Sequence, residues 1–234
     1  MKFSLVIPCY NEAGNLPLIL DRFATTLTRN DIELILVDNG SRDNTQEVLA
    51  RLLPNYPFAR TITVEVNQGY GYGICIGLRS ARGEYAGWTH ADMQTDPFDA
   101  LRALEIIEKR GSPNNIYLKG SRRGRSVFDV FFTICMSLFE TVYLKEWLWD
   151  INAQPNVFHR SFLDTWKNPP NDFSIEVYSL FLAQHQRLTV VRFPVVMLPR
   201  VHGLSSWNTS IKAKWKYIKR TLDFSMRLKK GLSR

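Results

Sequence analysis

THADMQTDP, residues Thr89–Pro97, separates two stretches of different periodicity. The apolar segment Tyr85–Trp88 before it predicts a buried strand, and the apolar spacing over Phe98–Lys109 after it predicts a helix. Asp92 and Gln94 therefore lie where a strand has ended and a helix has not begun. In an open α/β sheet, this edge at the carboxyl ends of the strands is where ligands bind.

Asp92 and Gln94 present a carboxylate and an amide oxygen two residues apart. Oxygen ligands suit a hard divalent cation, which often completes its coordination shell with substrate phosphates, so the pair predicts a metal–phosphate site. A second interpretation is a capped turn, with Asp96 as the N-cap of the helix and Pro97 at its first position. The capped turn accounts for Asp96 but leaves Asp92 unexplained.

Apolar segments followed by polar turns recur through the first half of the chain. Besides Tyr85–Trp88, strands are predicted at Phe3–Cys9, Ile32–Val37, Thr61–Val66 and Asn115–Leu118, with helical patterns between them. This alternation is typical of an α/β fold with a mostly parallel sheet and helices on both faces. Because the polar residues all follow strands, they are predicted to converge on one edge of the sheet.

Length and composition fit one large domain, or a domain with an extension. The chain has 234 residues, 45% of them hydrophobic, which is enough for a sizeable core. Cys9, Cys75 and Cys135 are widely spaced and give no disulfide framework, which favours a reducing compartment. No basic region precedes the first strand, so no signal peptide is expected.

The positive charge is concentrated in the tail. The net charge is +8, and residues 200–234 hold ten Lys or Arg against the single acid Asp223, so the remainder is nearly neutral. This distribution argues against a nucleic-acid partner for the whole protein and indicates that one segment meets an anionic surface.

Two segments are candidates for membrane contact. Val127–Trp149 is rich in Phe, Leu, Ile and Trp, but its longest uncharged run, Val130–Phe139, is too short to span a bilayer. It predicts a buried or interfacial helix. Ser210–Leu232 predicts a basic amphipathic helix, which suits either an anionic membrane surface or docking on the domain with a solvated charged face. Its apolar stripe comprises Ile211, Trp215, Ile218, Leu222 and Met226.

The remaining polar turns suit a nucleotide diphosphate. Asp38, at a strand end, can accept hydrogen bonds from a base or ribose. The turn Gly69–Gly73 is neither a dinucleotide-binding fingerprint nor a P-loop, and is expected to admit a ligand close to the backbone or to make a tight turn. Guanidinium groups match phosphate oxygens, and they follow the fifth strand as Arg122, Arg123 and Arg125 and recur at Arg200.

With these motifs in order, the chain resembles family 2 glycosyltransferases of the GT-A fold, and is most similar to the dolichyl- and polyprenyl-phosphate sugar synthases. The resemblance covers about residues 3–207. It divides the chain into a GT-A domain, residues 1–207, and a basic helical tail, residues 208–234. The matching segments are Ile7–Glu12 (family IPxYNE), Val37–Ser41 (VDDGS), Asn67–Gly71 (NxGxG), Ala91–Gln94 (end of DADLQ), Gly120–Arg122 and Arg200–Ser205.

The resemblance implies an inverting transfer of sugar from a nucleotide-diphosphate sugar to a polyprenyl phosphate, by a protein peripheral to the cytoplasmic membrane face. Asp92 and Gln94 would bind Mg²⁺ or Mn²⁺, and Arg122 would hold the acceptor phosphate. Pro8, Tyr10, Glu12 and Asp38 would hold the nucleoside. The turns that contact the donor would include Asn67, Gly71 and Ala91. Arg200 and Ser205 would contact the phosphate groups.

Three residues depart from the family pattern. His90 replaces the first aspartate of DADLQ and is a candidate third metal ligand, Asn39 replaces the second aspartate of VDDGS, and Trp207 stands near a position where this branch often has lysine. Two alternatives follow. One is transfer to a saccharide hydroxyl with Asp172 as general base, although Asp172 also fits an N-cap. The other is a non-catalytic nucleotide-sugar binding protein.

Overall fold

The computed structural model describes residues 1–202 and 211–232, so the predicted positions Ser205 and Trp207 lie outside the described residues. A seven-stranded sheet organises the described part. Its strands are β1 (Phe3–Cys9), β2 (Ile32–Asn39), β3 (Ala59–Val64), β4 (Tyr85–Trp88), β5 (Ile116–Arg123), β6 (Asn156–His159) and β7 (Thr189–Val196). The helices are α1 (Leu16–Thr26), α2 (Thr45–Leu52), α3 (Tyr70–Arg79), α4 (Asp99–Lys109), α5 (Val127–Leu144), α6 (Ile175–His185) and α7 (Ile211–Leu232).

The strand order is β3-β2-β1-β4-β6-β5-β7. Neighbouring strands pair in parallel except where β6 meets β4 and β5, so β6 runs against the other described strands. The predicted mostly parallel α/β sheet is therefore confirmed. The chain runs outward from β1 to β3 and then crosses back to β4, and this change of direction puts a topological switch point between β1 and β4.

Both faces of the sheet are covered, because successive side chains of a strand point to opposite faces. Leu5 and Ile7 of β1 pack in one core cluster with α1 and α4. Val6, between them, packs in the other cluster with α3 and α6. This explains why β1 and β2 read as continuous apolar runs.

Three strands differ from their predicted bounds. β2 extends to Asn39, so Asp38 lies on the strand and not after it. β3 is Ala59–Val64 and begins two residues earlier than expected. β5 extends to Arg123 because its second half pairs with β7, Arg122 opposite Val195. Arg122 therefore lies on a strand and not in the turn after it. Strands β6 and β7 had no sequence prediction.

Helix α5 carries its polar residues inward and its apolar residues outward. Ser137 and Glu140 are buried, whereas Val127, Phe131 and Leu138 are 87%, 60% and 63% exposed. The expectation that this helix is buried in the core is wrong, and the interfacial alternative remains. Among the described helices, α5 is also the one whose length and apolar composition would allow it to cross a bilayer, so the expectation that this segment is too short to do so is not met.

Helix α7 packs against α5, where Lys229 Nζ lies 4.1 Å from the ring centre of Tyr143. Thr221, Phe224 and Ser225 of α7 are buried. This face is only part of the predicted apolar stripe, because Trp215 and Met226 are exposed. The tail therefore docks on the domain and still presents apolar and basic side chains outward.

The carboxyl group of Glu140 makes the α5–α7 contact sensitive to pH. Burial raises the pKa of Glu140 to about 7, and neither of its carboxyl oxygens has a hydrogen-bond partner among the described residues. Since the folded-state pKa lies above the unfolded one, this group's contribution to stability is present at low pH and is lost as the pH rises toward 7. We expect Glu140→Gln to raise the free energy of unfolding by about 3 kcal/mol at pH 8 and by little at pH 4.5.

Urea unfolding of both proteins across this pH range measures the difference. Glu105→Gln on the exposed surface of α4 is the matched control and should follow the wild-type profile. Parallel profiles for wild type and Glu140→Gln would contradict the assignment.

Candidate functional site

The ends of β1 and β2 bring three of the predicted nucleoside residues together. Cys9 pairs with Asp38 in the parallel register, so Pro8 and Tyr10 lie beside Asp38 at the same edge. Asp38 is buried and accepts a hydrogen bond from the amide of Ser41 at 3.1 Å, whereas Tyr10 is exposed. The edge thus offers a fixed carboxylate next to an accessible aromatic ring.

Glu12 connects this pair of strand ends to the metal-site residues. Its backbone amide donates to Thr45 Oγ1 at 3.0 Å, and its Oε2 accepts from Asn15 Nδ2 at 2.6 Å. Burial raises the pKa of Glu12, the hydrogen bond from Asn15 opposes the shift, and the negative charge of Asp92 adds to it. Glu12 and Asp92 therefore belong to one electrostatic site.

Asp92 and Gln94 converge on one cationic position, which Arg200 fills. Arg200 Nη2 donates to Asp92 Oδ2 at 2.6 Å and to Gln94 Oε1 at 3.3 Å. Ala91 is buried beside them. Because one cationic nitrogen of Arg200 contacts both oxygens, a divalent cation at the same position would be coordinated by Asp92 and Gln94. The described residues contain no cluster of three His, Cys, Asp or Glu side chains around a metal position. Resident oxygen ligands are therefore few, and substrate phosphates would complete the shell.

Asp96 has a separate, structural role. Its Oδ1 accepts from the amide of Phe98 at 2.9 Å, and Arg22 Nη2 lies 2.6 Å from its Oδ2. It caps the turn before α4, which begins at Asp99 and not at Pro97 as the capped-turn interpretation expected. The two aspartates of this stretch thus serve different purposes.

His90 lies on an aromatic stack. Its ring is 5.6 Å from that of Tyr70, which lies 4.3 Å from that of Phe173. His90 Nδ1 is 3.2 Å from the hydroxyl of Tyr70, whose oxygen is 3.4 Å from Glu176 Oε1. Tyr70 therefore contacts both the ring face and the Nδ1 atom of His90, the residue that departs from the family pattern.

A hydrogen bond of Asn39 explains why asparagine stands where the VDDGS pattern has aspartate. Its Nδ2 donates to the carbonyl of Gly69 at 2.8 Å, which an ionised aspartate could not do. Asn67 Oδ1 accepts from the amide of Gly69 at 2.9 Å, and Gly69 has φ +109. Together these bonds fix the turn that starts α3.

Gly71 admits another backbone segment and not a ligand. A Cβ atom there would lie 2.2 Å from the carbonyl oxygen of Pro170 and 2.7 Å from that of Asp172. The expectation that this glycine allows a ligand to approach is corrected: the 170–172 loop fills the space. Asp172 itself accepts from the amide of Ser174 at 2.8 Å and lies 3.4 Å from Arg220 Nε. It closes the turn before α6, whose N-cap position is Ser174 and not Asp172.

Arg122 belongs to a cluster in which positive charge exceeds negative charge. Its Nε and Nη2 donate to Asp150 Oδ1 at 2.8 and 2.5 Å, and Arg125 Nη1 lies 3.9 Å from the same oxygen. Burial lowers the pKa of Arg192 and raises that of Asp150, but the charge and hydrogen bonds of Arg122 hold the Asp150 pKa below its usual value. Arg122 and Arg125 therefore share one carboxylate beside the start of α5, and the charge of that carboxylate also acts on Arg192.

Sequence reasoning missed a buried network beneath the site. Lys119 is fully buried and donates to Asn156 Oδ1 at 2.5 Å and to Glu176 Oε2 at 3.5 Å. Burial lowers the pKa of Lys119 to about 8, and the charge of Glu176 opposes the shift. A lone lysine within the apolar run of β5 was the signal that a buried partner exists.

Family and relatives are consistent with this geometry. The sequence model of glycosyl transferase family 2 matches residues 4–132. The undecaprenyl-phosphate 4-deoxy-4-formamido-L-arabinose transferase of Yersinia enterocolitica is 36% identical over 112 residues, covering 46% of this chain. The match covers 34% of that relative, so the chain spans about a third of its length.

Solved structures match over most of the chain. The mannosyltransferase PcManGT from Pyrobaculum calidifontis, in complex with GDP-Man and Mn²⁺, has a TM-score of 0.65 at 19% identity, over 86% of this chain and 57% of that one. The glucosyl-3-phosphoglycerate synthase from Mycobacterium tuberculosis, in complex with Mn²⁺, UDP and glucosyl-3-phosphoglycerate, has a TM-score of 0.64 at 17% identity, over 87% and 73%. These likenesses confirm the predicted GT-A fold.

Proposed function

Because this chain belongs to glycosyl transferase family 2, we propose that it transfers a sugar from a nucleotide-diphosphate sugar to a polyprenyl phosphate at a membrane surface. The name of the Yersinia relative, an undecaprenyl-phosphate sugar transferase, supports this acceptor class. The chain would act as an inverting, metal-dependent enzyme, peripheral to the cytoplasmic membrane face. Residues 1–207 would form the transferase domain and 208–234 the basic tail.

One observation carries the proposal: the arginine cluster lies at the start of α5, a helix whose outward face is apolar. Arg122 and Arg125 lie within a few residues of Val127 and Phe131, which are exposed. Asp150 ties this cluster to the buried face of α5, since its amide donates to Ser137 Oγ at 3.1 Å. A phosphate that carries a hydrocarbon chain matches both, with its charge at the guanidinium groups and its chain along the helix.

The donor would occupy the edge between β1 and β4. Pro8, Tyr10, Glu12 and Asp38 would hold the nucleoside, and Arg200 would turn from Asp92 to the diphosphate. Asp92 and Gln94 would hold Mg²⁺ or Mn²⁺, with His90 as a third ligand. When bound, the cation neutralises charge on the leaving diphosphate. Asn67 and Ala91 would shape the donor turns, and Ser205 would contact phosphate.

The acceptor phosphate is already ionised at neutral pH, so transfer requires positioning and charge stabilisation more than a general base. An acceptor phosphate oxygen would attack the anomeric carbon opposite the leaving nucleoside diphosphate. The new carbon–oxygen bond would form as the old one breaks, which inverts the configuration. Asp172, the candidate base for a saccharide acceptor, is engaged with Ser174 and Arg220 and has no part in this route.

A panel assay tests the proposal. The full chain is incubated with UDP-, GDP- and TDP-sugars, Mn²⁺ and a short polyprenyl phosphate, and glycolipid and free nucleoside diphosphate are measured. We expect glycolipid with one donor. Transfer to a saccharide acceptor only would overturn the lipid assignment, and donor binding without any transfer would favour a non-catalytic nucleotide-sugar binding protein.

Membrane contact is tested through the exposed side chains of α5. Each buried phenylalanine or leucine contributes about 1.5–3 kcal/mol, so Phe131→Ser with Leu138→Ser should weaken vesicle binding by at least tenfold. Cosedimentation with phosphatidylglycerol vesicles measures it. Salt should weaken binding further, because exposed basic side chains of α7 are screened.

Val66→Ser is the matched control, since Val66 is 70% exposed and lies outside α5 and α7. This variant should bind vesicles as the wild type does. Undiminished binding of the α5 double variant would move the membrane contact elsewhere.

A further inference from the structure

Arg123 follows Arg122 at the end of β5 but forms no ion pair with Asp150. We propose that Arg123, Val196 and Leu198 form a subsite for the phosphate end of an isoprenoid chain. Arg123 meets the phosphate, and Val196 and Leu198 contact the hydrocarbon that follows it. The inference rests on the proposed acceptor class and adds to it the residues that select a phosphate with an attached hydrocarbon chain.

The guanidinium group of Arg123 is available to a ligand. The ion pairs of this region join Asp150 to Arg122 at 2.5 Å and to Arg125 at 3.9 Å. Arg123 is exposed, and no acid of the described residues forms an ion pair with it. A guanidinium group that is not committed to a carboxylate can form two parallel hydrogen bonds to phosphate oxygens. The positive charge beside Asp150 therefore exceeds the negative charge by more than Arg122 and Arg125 alone provide.

Val196 lies beside Arg123 on the neighbouring strand. The parallel register of β5 and β7 pairs the two residues, so their side chains are on the same face of the sheet. Val196 is 59% exposed, and its Cγ1 atom lies 4.0 Å from the position that a Cβ atom on Gly124 would take. An exposed apolar side chain therefore adjoins the available guanidinium group.

Leu198 continues this apolar surface toward the donor edge. The amide of Met197 donates to the carbonyl of Arg123 at 3.0 Å, and the amide of Leu198 donates to the carbonyl of Gln94 at 2.8 Å. Successive amides that point to opposite neighbours are typical of an extended segment, in which side chains two residues apart share a face. Leu198, which is 47% exposed, therefore shares the face of Val196 on a segment tied to β5 and to the turn of Gln94.

These three side chains match a phosphate that carries a hydrocarbon chain. In an extended segment, side chains two residues apart are separated by about 7 Å, so Val196 and Leu198 can contact one isoprenoid chain. Exposed apolar side chains beside a guanidinium group suit a ligand with both kinds of surface. Free phosphate would use Arg123 alone, and an isoprenol would use the apolar side chains alone.

Binding of farnesyl phosphate to the full chain tests the subsite. Isothermal titration calorimetry below the concentration at which the ligand forms micelles measures the affinity, with inorganic phosphate and farnesol as reference ligands. We expect farnesyl phosphate to bind about tenfold or more tightly than either reference, because it uses both surfaces. Equal affinity for inorganic phosphate would indicate a simple anion site, and equal affinity for farnesol would indicate an apolar surface only. Either result would overturn the proposal.

Val196→Ser with Leu198→Ser separates the hydrocarbon contact from the phosphate contact. The affinity for farnesyl phosphate should fall about tenfold, because two apolar contacts are lost, and the affinity for inorganic phosphate should stay unchanged. Arg123→Gln should lower the affinity for both ligands about tenfold, because a charged hydrogen-bond donor is lost. Wild-type binding of farnesyl phosphate by the double variant, or by Arg123→Gln, would overturn the proposal.

Val66→Ser and Arg79→Gln are the matched controls, since they replace an exposed valine and an exposed arginine outside the subsite. Both should bind farnesyl phosphate as the wild type does. These measurements use no sugar donor, so the two proposals can fail separately. Binding through the three residues without any sugar transfer would overturn the reaction only, whereas transfer with unchanged binding by the variants would overturn the subsite only.

Discussion

Asp92→Asn should lower sugar transfer by about 10²–10³-fold while leaving the fold intact, because it removes the carboxylate charge from the diphosphate site. The carboxylate is nearly buried, and Arg200 pairs with it at 2.6 Å with 24% of its own side chain exposed. Arg200 can therefore be solvated when its partner is neutral, and the free energy of unfolding should change by about 1 kcal/mol at most. The measurement is the initial rate of nucleoside diphosphate release, together with urea unfolding.

Asp96→Asn is the control for this prediction. Asp96 lies four residues further on, pairs with Arg22 at the surface and caps a turn, so its loss should leave the transfer rate unchanged. A wild-type rate and unchanged Mn²⁺ response in Asp92→Asn would remove Asp92 from the metal site.

Arg122→Gln should unfold more easily and lose transfer to the lipid phosphate. The side chain of Asp150 is only 6% exposed, so removing its guanidinium partner leaves a buried charge at a cost of about 3–5 kcal/mol. Adding Asp150→Asn should restore most of this stability, because the buried charge is gone and asparagine tolerates the φ of +40 at this position.

The double variant distinguishes two roles of Arg122. If Arg122 meets the acceptor phosphate, the restored protein should bind donor normally and still transfer about 100-fold more slowly to polyprenyl phosphate. Recovery of transfer together with stability would mean that Arg122 serves the fold alone. Arg29→Gln with Asp31→Asn is the matched control, a bidentate pair outside the site that should leave transfer unchanged.

The parallel strands and their functional edge could be predicted because the signal is local. Each of β1, β2 and β4 is a short apolar run, and the polar turn follows it directly in sequence. Strand β6 could not be predicted in the same way. It is stabilised by antiparallel pairs with β4 and β5, which are distant in sequence, and no local polar turn marks its end.

The partners of the site residues could not be predicted either, because they are distant in sequence. Asp150 lies 28 residues from Arg122, and Glu176 had a sufficient local explanation as an acid in the first turn of a helix. Its partners Trp88, Lys119 and Asn156 come from three different strands. Only the folded sheet brings them around one carboxylate.

Helix α5 illustrates a signal that the sequence did contain. Its overall composition is apolar, which left a buried and an interfacial position open. The inward residues Thr133, Ser137 and Glu140 follow one another at helical spacing, and together they form a polar stripe. A polar stripe on an apolar helix indicates that the stripe, and not the apolar face, meets the protein.

The phosphate dependence of the acceptor is the most direct test of the proposed reaction. With the donor identified in the panel assay, the protein is offered a polyprenyl phosphate and the matching polyprenol in the same vesicles, and the lipid products are measured by mass spectrometry. We predict a glycosylated product from the polyprenyl phosphate and none from the polyprenol, because the arginine cluster requires the phosphate. Equal transfer to the polyprenol would contradict the account.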